Sequence, residues 1–445
     1  MVMVSRSLKT EFAKIPENAP EAVVEQMFVS HFLDALGFEQ GATYPQFDTG
    51  NGPVDYAARK NTDGEDVFLH NPHSPCLLIE LKGRDINLCE DSSAYRKTVA
   101  QLKRYLRAAN CKSAMWGIIT NSSHIQLFRR HGKVIHPATK CLSLHSENIE
   151  DVANLIRQKI NNPENALTVA VYNNKGGVGK TTTVVNLAAS LTLLGKKVLI
   201  IDFDPNQQDL TSSLGIPLSE DSLYSTLLNK KVKAEAIKPF IITSKSTGKQ
   251  FSFDIIPADK MLADAEDGAI RKSISVRNLS QILKPLKALY DYIIIDSPPN
   301  WRFFSQSAIY ASDVVLFPTK HNNLFSLENA ATAIKQFIPE IKSVREDGGP
   351  VALPIFFNGE KITPAQEVSA QQEIDEILKR IKREDGTDLL AYFYPYYTNS
   401  RKNRRIFELP SYAHIANAAF ARIPAAYKDK TAREYYKSLV KEYFL

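Results

Sequence analysis

Hydrophobic positions in the first third of the chain alternate between helical and strand spacing. Val24, Phe28, Phe32 and Leu36 recur every four residues, which predicts a helix that stops at Gly37. Further segments follow in the order strand, strand, helix, strand, strand, at residues 54–56, 76–81, 94–109, 114–120 and 125–129. This alternation predicts a compact α/β domain over residues 1–158.

A polar stretch, residues 159–166 (KINNPENA), is the predicted linker. The pattern then restarts as a strand at 167–172, a helix at 181–194 and a strand at 197–203. Apolar runs at 292–295 and 314–317 are typical of strands in a parallel sheet that is covered on both faces. For residues 167–445 we therefore predict an α/β domain with a doubly wound, mostly parallel sheet.

The composition indicates a globular protein rather than a membrane-spanning or secreted one. The chain has 445 residues and a net charge of +6, and its 44% hydrophobic and 23% charged residues are typical of globular proteins. No apolar run approaches the roughly 20 residues that span a bilayer, and the N-terminus has no signal-peptide pattern. Four widely spaced cysteines predict reduced thiols in a cytoplasm rather than disulfides or a zinc cluster: Cys76, Cys89, Cys111 and Cys141.

Residues 173–182 (NNKGGVGKTT) lie between a predicted strand and a predicted helix, the context in which such a loop binds phosphate. Gly176, Gly177 and Gly179 can adopt backbone angles closed to other residues and let backbone amides approach an anion. Lys180 is expected at the β- and γ-phosphates and the Thr181 hydroxyl at Mg²⁺. With all these residues in register, nucleotide binding explains the loop better than a plain glycine-rich turn.

Three more charged residues extend this prediction. Lys175 lies too early in the loop to share the phosphates of Lys180, but it could reach the nucleotide of a neighbouring molecule. Asp204 follows the second strand, where it could activate a water for attack on the γ-phosphate. Asp296 ends the apolar strand 292–295 and could hold Mg²⁺. Either acid alone could simply cap a helix, but together with the loop they predict an ATPase.

The stretch NNKGGVGKTTTVVNLAASLTLLGKKVLIIDFDP resembles the ParA/MinD/Soj family of deviant-Walker P-loop ATPases, and the similarity extends over about residues 167–445. The resemblance implies ATP and Mg²⁺ as cofactors and an ATP-driven homodimer in which Lys175 contacts the partner's phosphates. It also implies that Asp204 supports hydrolysis, that Asp296 binds the metal, and that Pro318 and Asn358 lie near adenine. The loop residues it assigns to nucleotide binding are Lys175, Gly176, Gly177, Val178, Gly179, Lys180, Thr181 and Thr182.

The C-terminal region adds an expected DNA contact. Residues 391–445 contain ten Lys or Arg and four Asp or Glu, which equals the whole charge surplus. The family resemblance implies non-specific DNA binding by basic residues here, namely Arg401, Lys402, Arg404 and Arg405. A solvated helical face is the alternative explanation of the charge. The resemblance also suggests a ParB-like or adaptor partner and a cytoplasmic, nucleoid-associated protein without membrane targeting.

The first domain carries a separate set of acidic and basic residues. Asp55 and Glu80 come from adjacent ends of predicted strands and could share a Mg²⁺, and Lys82 projects from the same strand face as Glu80. Glu25, or else Glu21, and Gln101 are expected to orient these groups. A surface strand with a simple Glu80–Lys82 salt bridge is the alternative.

This ordered set resembles the PD-(D/E)xK nuclease fold, in particular the N-terminal domain of type I restriction HsdR subunits, over about residues 15–135. The resemblance implies a restriction-endonuclease-like α/β domain. Two histidines in the intervening segment, His70 and His73, are interpreted as loop residues rather than metal ligands.

Two functions remain open at this point. The first is a ParA-type ATPase that positions DNA or cargo, with the N-terminal domain as a DNA-binding accessory. The second is a DNA endonuclease acting in defence against foreign DNA, controlled by ATP-dependent dimerisation. A scaffold without activity is disfavoured because every residue of the ATPase set is present.

Overall fold

The computed structural model describes residues 8–62, 66–90, 92–220, 223–243, 248–264, 272–321, 323–359, 363–394 and 406–445. The chain divides into two compact units. The first unit contains residues 1–163 and 346–349, and the second contains residues 164–345 and 350–445. Each unit has its own sheet and its own hydrophobic core.

The first unit is built on a mixed sheet that has seven strands within the described residues. The strands are β1 (Thr43–Asp48), β2 (Pro53–Ala58), β3 (Leu77–Leu81), β4 (Trp116–Thr120), β5 (His124–His131), β6 (Val134–Pro137) and β7 (Leu142–Ser143). They run in the order β1-β2-β3-β4-β5-β6, and β7 pairs with β5. Only β3 and β4 pair in parallel among these strands. A parallel pair needs a crossover connection, which a helix supplies here.

The helices of this unit are α1 (Leu8–Phe12), α2 (Glu21–Val24), α3 (Ser30–Leu36), α4 (Ser93–Leu106) and α5 (Ile149–Asn161). A π-helical turn, Glu25–Val29, joins α2 to α3, and a 3₁₀ turn, Ala109–Cys111, follows α4. Helix α4 is the crossover between β3 and β4. It begins at the N-cap Ser92, whose hydroxyl accepts a hydrogen bond from the Tyr95 amide.

Both faces of the first sheet are covered, because successive strand side chains point to opposite sides. Leu77, Ile79 and Leu81 of β3 pack into a core with α1, α2, α3 and α5. Leu78 faces the other way and packs with Leu102 and Leu106 of α4. Glu80 therefore lies on the α4 side of the sheet, although its carboxylate is almost fully buried.

The second unit contains a larger sheet ordered β10-β11-β9-β12-β8-β13-β15 in the described residues. Its strands are β8 (Leu167–Val171), β9 (Val198–Asp202), β10 (Lys238–Thr243), β11 (Gln250–Ile256), β12 (Tyr292–Asp296), β13 (Val314–Leu316) and β15 (Val351–Ala352). A small parallel sheet joins β14 (Pro318–Thr319), β16 (Phe356–Asn358) and β17 (Glu408–Leu409). The main sheet is parallel except at one edge, where β10 runs antiparallel to β11.

The helices of the second unit cover both faces of its main sheet. They are α6 (Lys180–Leu193), α7 (Asp209–Ser213), α8 (Leu223–Asn229), α9 (Lys260–Asp264), α10 (Asn278–Leu283), α11 (Phe303–Ala311), α12 (Leu324–Thr332), α13 (Ile338–Val344), α14 (Pro364–Asp385), α15 (Leu390–Phe393), α16 (Ala413–Ala418), α17 (Ala425–Lys428) and α18 (Lys430–Tyr443). Short 3₁₀ turns occur at Ala234–Ala236, Leu286–Ala288 and Ala419–Ala421, and a π-helical turn, Ala333–Phe337, joins α12 to α13.

The predicted α/β fold of the second unit is confirmed, and its main sheet is mostly parallel, as expected, with one antiparallel edge strand. The restriction-endonuclease-like assignment of the first unit stays a prediction. Within the described part of the chain, every helix is too short or too polar to cross a membrane.

Candidate functional site

The phosphate loop (residues 173–182) connects the central strand β8 to helix α6. Gly177 and Gly179 adopt left-handed backbone conformations with φ of 74° and 85°. This region of φ costs roughly 1–2 kcal/mol for a residue with a Cβ, so these two positions favour glycine. The Gly179 carbonyl accepts a 2.7 Å hydrogen bond from the Thr183 hydroxyl at the start of α6.

Two residues predicted to lie near adenine contact the phosphate loop itself. The Asn358 amide donates to the carbonyl oxygens of Val178 at 3.0 Å and Gly179 at 3.3 Å. The Pro318 carbonyl accepts a 3.0 Å hydrogen bond from the amide of Asn173. These hydrogen bonds hold the loop through residues that are distant in sequence. The adenine contact of both residues stays a prediction.

Lys180 is the first residue of α6 and is nearly buried, so its ammonium group is held inside the loop. Its Nζ donates to the carbonyl of Lys175 at 3.2 Å. Burial lowers the pKa of Lys180, while the negative charges of Asp296 and Asp204 oppose that shift. Lys175 is half-buried in the same loop.

The Thr181 hydroxyl donates a 2.6 Å hydrogen bond to Oδ2 of Asp296 at the end of β12. The other carboxylate oxygen of Asp296, Oδ1, is buried without a hydrogen-bond partner. Burial, followed by the charge of Asp202, raises the pKa of Asp296 to about 8. A hydroxyl beside an unsatisfied carboxylate oxygen is a set of hard oxygen donors that suits Mg²⁺.

Strand register brings further carboxylates to the same edge of the sheet. Asp202 at the end of β9 is paired in register with Asp296. Its Oδ2 accepts hydrogen bonds from the amide and hydroxyl of Thr211 in α7, and burial raises its pKa to about 6. Asp204 lies two residues further on, and its Oδ1 accepts from the amides of Asn206 and Gln207.

The role of Asp202 was not predicted from the sequence. Only the second acid of the motif Asp-x-Asp was assigned a function, whereas the structure connects the first acid to α7. The alternation of a strand predicts that Asp202 points to a different side than Phe203, but no local signal identifies Thr211 as its partner. Asp202 therefore links the sheet edge that carries Asp296 to α7.

Comparison with known proteins covers this unit. Residues 166–349 match a family model described as an AAA domain. Over 154 residues the chain is 39% identical to the sporulation initiation inhibitor protein Soj of Bacillus subtilis, covering 34% of this chain and 57% of Soj. It is 38% identical to the chromosome partitioning protein ParA of Myxococcus xanthus, covering 34% of this chain and 50% of that protein. This part of the chain is therefore similar to proteins of the ParA and Soj type.

The matched part of the chain spans about half the length of these curated relatives. A solved structure of pNOB8 ParA bound to nonspecific DNA is similar to this chain at 23% identity, with a TM-score of 0.46. That similarity covers 62% of this chain and 97% of pNOB8 ParA.

The first unit holds a carboxylate–lysine cluster, which consists of Glu21, Asp55, Glu80 and Lys82. Lys82 Nζ lies 2.6 Å from Oε1 of Glu80 and 3.7 Å from Oε2 of Glu21. Oδ2 of Asp55 accepts a 2.7 Å hydrogen bond from the backbone amide of Leu81. The predicted proximity of Asp55 to the end of β3 therefore holds in the structure.

Charge and burial make Glu80 the unusual member of this cluster. Burial, and next the charge of Asp55, raise the pKa of Glu80 to about 7 despite the nearby Lys82. Burial disfavours the charged form of Lys82, but its acidic neighbours together hold its pKa above the ordinary value. Oε2 of Glu80 is buried without a hydrogen-bond partner. That orphaned oxygen is available to a cation.

The two residues predicted to orient the cluster, Glu25 and Gln101, form hydrogen bonds with tyrosine hydroxyls instead. Glu25 accepts a 2.9 Å hydrogen bond from the Tyr56 hydroxyl, and Gln101 donates to the Tyr105 hydroxyl at 3.1 Å. Glu21, the alternative to Glu25, is the helix acid that reaches Lys82. The difference arises because Glu21 and Glu25 are one helical turn apart, and the sequence alone does not specify which turn meets the strand.

The described residues were searched for clusters of side chains that could bind a metal ion. No group of three or more His, Cys, Asp or Glu side chains in the described ranges could hold a metal ion. Asp55 and Glu80 are thus two carboxylates without a third such ligand. His70 and His73 are exposed in the structure.

The predicted DNA contacts Arg401, Lys402, Arg404 and Arg405 lie outside the described residues.

Replacement of Gly179 tests the geometry of the phosphate loop. A Cβ at Gly179 would lie 2.1 Å from the Asn358 amide nitrogen, whereas a Cβ at Gly176 meets no atom within 4 Å. We expect Gly179→Ala to lower the free energy of unfolding by about 1–3 kcal/mol, and Gly176→Ala to change it by less than about 0.5 kcal/mol. Urea unfolding in a Trp116→Phe background would report the second unit through Trp301. Equal midpoints for the two variants would contradict the assigned loop conformation.

The raised pKa of Glu80 predicts a pH-dependent stability of the first unit. Its ordinary pKa is 4.5 and its folded value is about 7, so its stabilising effect is complete below pH 4.5 and is lost as the pH rises through 7. Glu80→Gln should therefore reduce the fall in the free energy of unfolding between pH 5 and 7.5, by up to about 3 kcal/mol.

The measurement is urea unfolding in EDTA with a Trp301→Phe background, so that Trp116 reports the first unit alone. Parallel pH profiles for the two proteins would show that Glu80 does not titrate in this range.

Proposed function

We propose that this protein is a ParA-type ATPase that binds and hydrolyses ATP with Mg²⁺, forms an ATP-sandwiched homodimer and binds DNA non-specifically, for DNA partitioning or cargo positioning. The observation that carries the proposal is the Thr181–Asp296 hydrogen bond beside a buried, unpartnered carboxylate oxygen. This arrangement lies at the end of a glycine-rich loop, and that loop leads directly into the N-terminus of a fourteen-residue helix.

Charge balance supports binding of nucleotide and metal together. The charges of Asp296, Asp204 and Asp209 act on one buried Lys180, so these carboxylates would repel a triphosphate that bound without a cation. Thr181 and Asp296 would hold Mg²⁺, which would neutralise these carboxylates and the phosphate oxygens. The loop amides and Lys180 would then bind the phosphates.

The side chains suggest how hydrolysis proceeds. Asp204 is fixed through Oδ1 by two backbone amides, which would leave Oδ2 to orient the attacking water. Lys180 would stabilise the charge that develops on the phosphate oxygens. Asp202 would act through α7 as a positioning residue, because its hydrogen bonds to Thr211 connect the strand edge to that helix.

The proposed dimer rests on the second loop lysine. Lys180 occupies the interior of the loop, and the Lys175 carbonyl accepts its hydrogen bond. The Lys175 side chain, which is half-buried, would contact the phosphates of a second copy. A ParB-like or adaptor protein that stimulates hydrolysis, and association with the nucleoid, belong to the same proposal.

The test of the dimer compares two lysines of one loop. In an Asp204→Ala background that slows hydrolysis, Lys175→Ala should bind ATP within about threefold of the parent but sediment as a monomer with ATP and Mg²⁺. Lys180→Ala, as the control, should lose ATP binding because it removes the buried charge in the loop. Sedimentation velocity and equilibrium dialysis give the two readouts. A dimer that persists in Lys175→Ala would refute the cross-contact.

A second candidate function is a DNA endonuclease controlled by ATP-dependent dimerisation. It is favoured by the orphaned Oε2 of Glu80 beside Lys82 and by Asp55 bonded to the adjacent backbone. Asp55 and Glu80 would hold Mg²⁺, and Lys82 would polarise the attacking water. The mixed sheet, with three antiparallel strands followed by a helical crossover to a parallel strand, is compatible with the nuclease-like interpretation.

Plasmid nicking decides whether this second function exists. With ATP and Mg²⁺ or Mn²⁺, a nuclease should convert supercoiled plasmid to open circles, and both Asp55→Ala and Lys82→Ala should reduce the rate at least about a hundredfold. The exposed His70→Ala serves as a control and should leave the rate unchanged. Nicking that survives both substitutions comes from a contaminant, and its complete absence in the parent argues for a DNA-binding accessory domain.

A further inference from the structure

Helix α4 of the first unit presents an exposed face that is exclusively basic among its charged residues. Arg96, Lys97 and Arg104 are exposed, and Arg107 follows immediately after the helix. The helix sequence SAYRKTVAQLKRYL has four Lys or Arg residues and no Asp or Glu. The opposite face, with Leu102 and Leu106, packs on the sheet. The charges therefore lie on the surface of a firmly anchored helix.

Other amphipathic helices of the chain differ from α4 in this respect. A solvated helix face usually mixes both signs of charge, because oppositely charged neighbours stabilise each other. Each of the comparable helices does so: α5 has Glu150, Asp151, Arg157 and Lys159; α14 has Glu367, Glu373, Glu376, Lys379 and Arg380; and α18 has Lys430, Arg433, Glu434, Lys437, Lys441 and Glu442. Helix α4 departs from the pattern of its own chain.

Three basic side chains of α4 are available to a ligand, namely Arg96, Lys97 and Arg104. In the ranges that the structure describes, neither Arg96 nor Lys97 forms an ion pair with an acidic side chain. The Arg104 guanidinium lies 5.0 Å above the Tyr105 ring, which holds it at the surface without neutralising it. Unneutralised Lys and Arg on one face are the feature that phosphate backbones bind.

Helix α4 is connected to both strands that carry the carboxylate–lysine cluster. Because α4 is the crossover from β3 to β4, its first turn follows the strand end that carries Glu80 and Lys82. Near its other end, Tyr105 approaches Gly52, and a Cβ there would lie 3.7 Å from the ring. Gly52 directly precedes β2, the strand that carries Asp55.

A separate cleft of the first unit has the opposite charge. Its volume is about 710 Å³, and its lining includes Glu25, Asp34 and Glu39 but neither Lys nor Arg. A polyanion would be repelled by these carboxylates. The distribution of charge therefore favours α4 over this cleft as the contact surface for a phosphate backbone.

We propose that the exposed face of α4, formed by Arg96, Lys97 and Arg104, binds the phosphate backbone of duplex DNA. The choice of DNA among polyanions rests on the proposed function. The inference goes beyond it by assigning a second DNA contact, in the first unit, that does not require ATP. Contacts of this kind carry no sequence preference.

The experiment measures DNA binding by the full chain without nucleotide and in EDTA, which removes ATP-dependent binding and any cleavage. Fluorescence anisotropy with a duplex of about 30 base pairs is recorded over a range of salt concentrations. The triple variant Arg96→Gln, Lys97→Gln and Arg104→Gln should bind at least about tenfold more weakly. The slope of log K against log[salt] should decrease by about 2.7 for three lost contacts.

Two matched variants keep the test specific. Lys9→Gln, Arg157→Gln and Lys159→Gln remove the same charge from the helices α1 and α5 and should leave most of the binding intact. Arg96→Lys with Arg104→Lys keeps the charge and should retain the parent slope. The parent result should also be the same in a Lys180→Ala background, so that a failure of the ATPase proposal is distinguishable.

Three results would overturn the proposal. The first is the absence of nucleotide-free DNA binding by the parent protein. The second is an unchanged affinity and salt slope in the triple variant of α4. The third is an equal loss in the α1 and α5 control, which would mean that net charge rather than a defined surface drives binding.

Discussion

Burial of negative charge at the end of a parallel sheet is the constraint on which the second unit depends. Asp296 and Asp202 end neighbouring strands in register, and both are nearly excluded from solvent. Thr181 satisfies one oxygen of Asp296, Thr211 satisfies Asp202, and Lys180 supplies a single positive charge. Because isolated buried carboxylates are costly, the arrangement is best stabilised when a cation and an anionic ligand bind together. In the proposed function, phosphate binding and metal binding would thus be one property of this edge.

The same principle recurs at smaller scale in the first unit. Glu80 lies almost fully buried at a strand end, with Lys82 beside it and one oxygen unsatisfied. In both units the sheet positions the acid. Helices supply the groups that balance its charge in the second unit, whereas Lys82 in the first unit directly follows the strand that carries Glu80. The exposed basic face of α4 adds a surface at which a polyanion could approach the first unit. A protein of this design would bind DNA through one unit while nucleotide controls association through the other.

Contiguous motifs were predicted well from sequence, since the strand, the phosphate loop and α6 follow one another along the chain. The same holds for Asp296, because an apolar strand that ends in an acid is visible locally. Nonlocal contacts were harder to predict: Asn358 supports the loop from 180 residues away, and Thr211 bonds Asp202 across a turn. The choice between Glu21 and Glu25 depended on how a helix meets the sheet, which periodicity does not determine. The charge of α4 was visible in the sequence, but its exposure and its anchoring required the structure.

The central claim is that two copies trap two nucleotides, each copy reaching into the other's phosphate site. The most direct measurement is a structure of the Asp204→Ala protein with ATP and Mg²⁺. The account predicts a dimer in which Lys175 of each copy contacts the phosphates held by the other copy's loop, with the metal at Thr181. Separate protomers with nucleotide and metal fully bound, and with Lys175 directed into solvent, would contradict it.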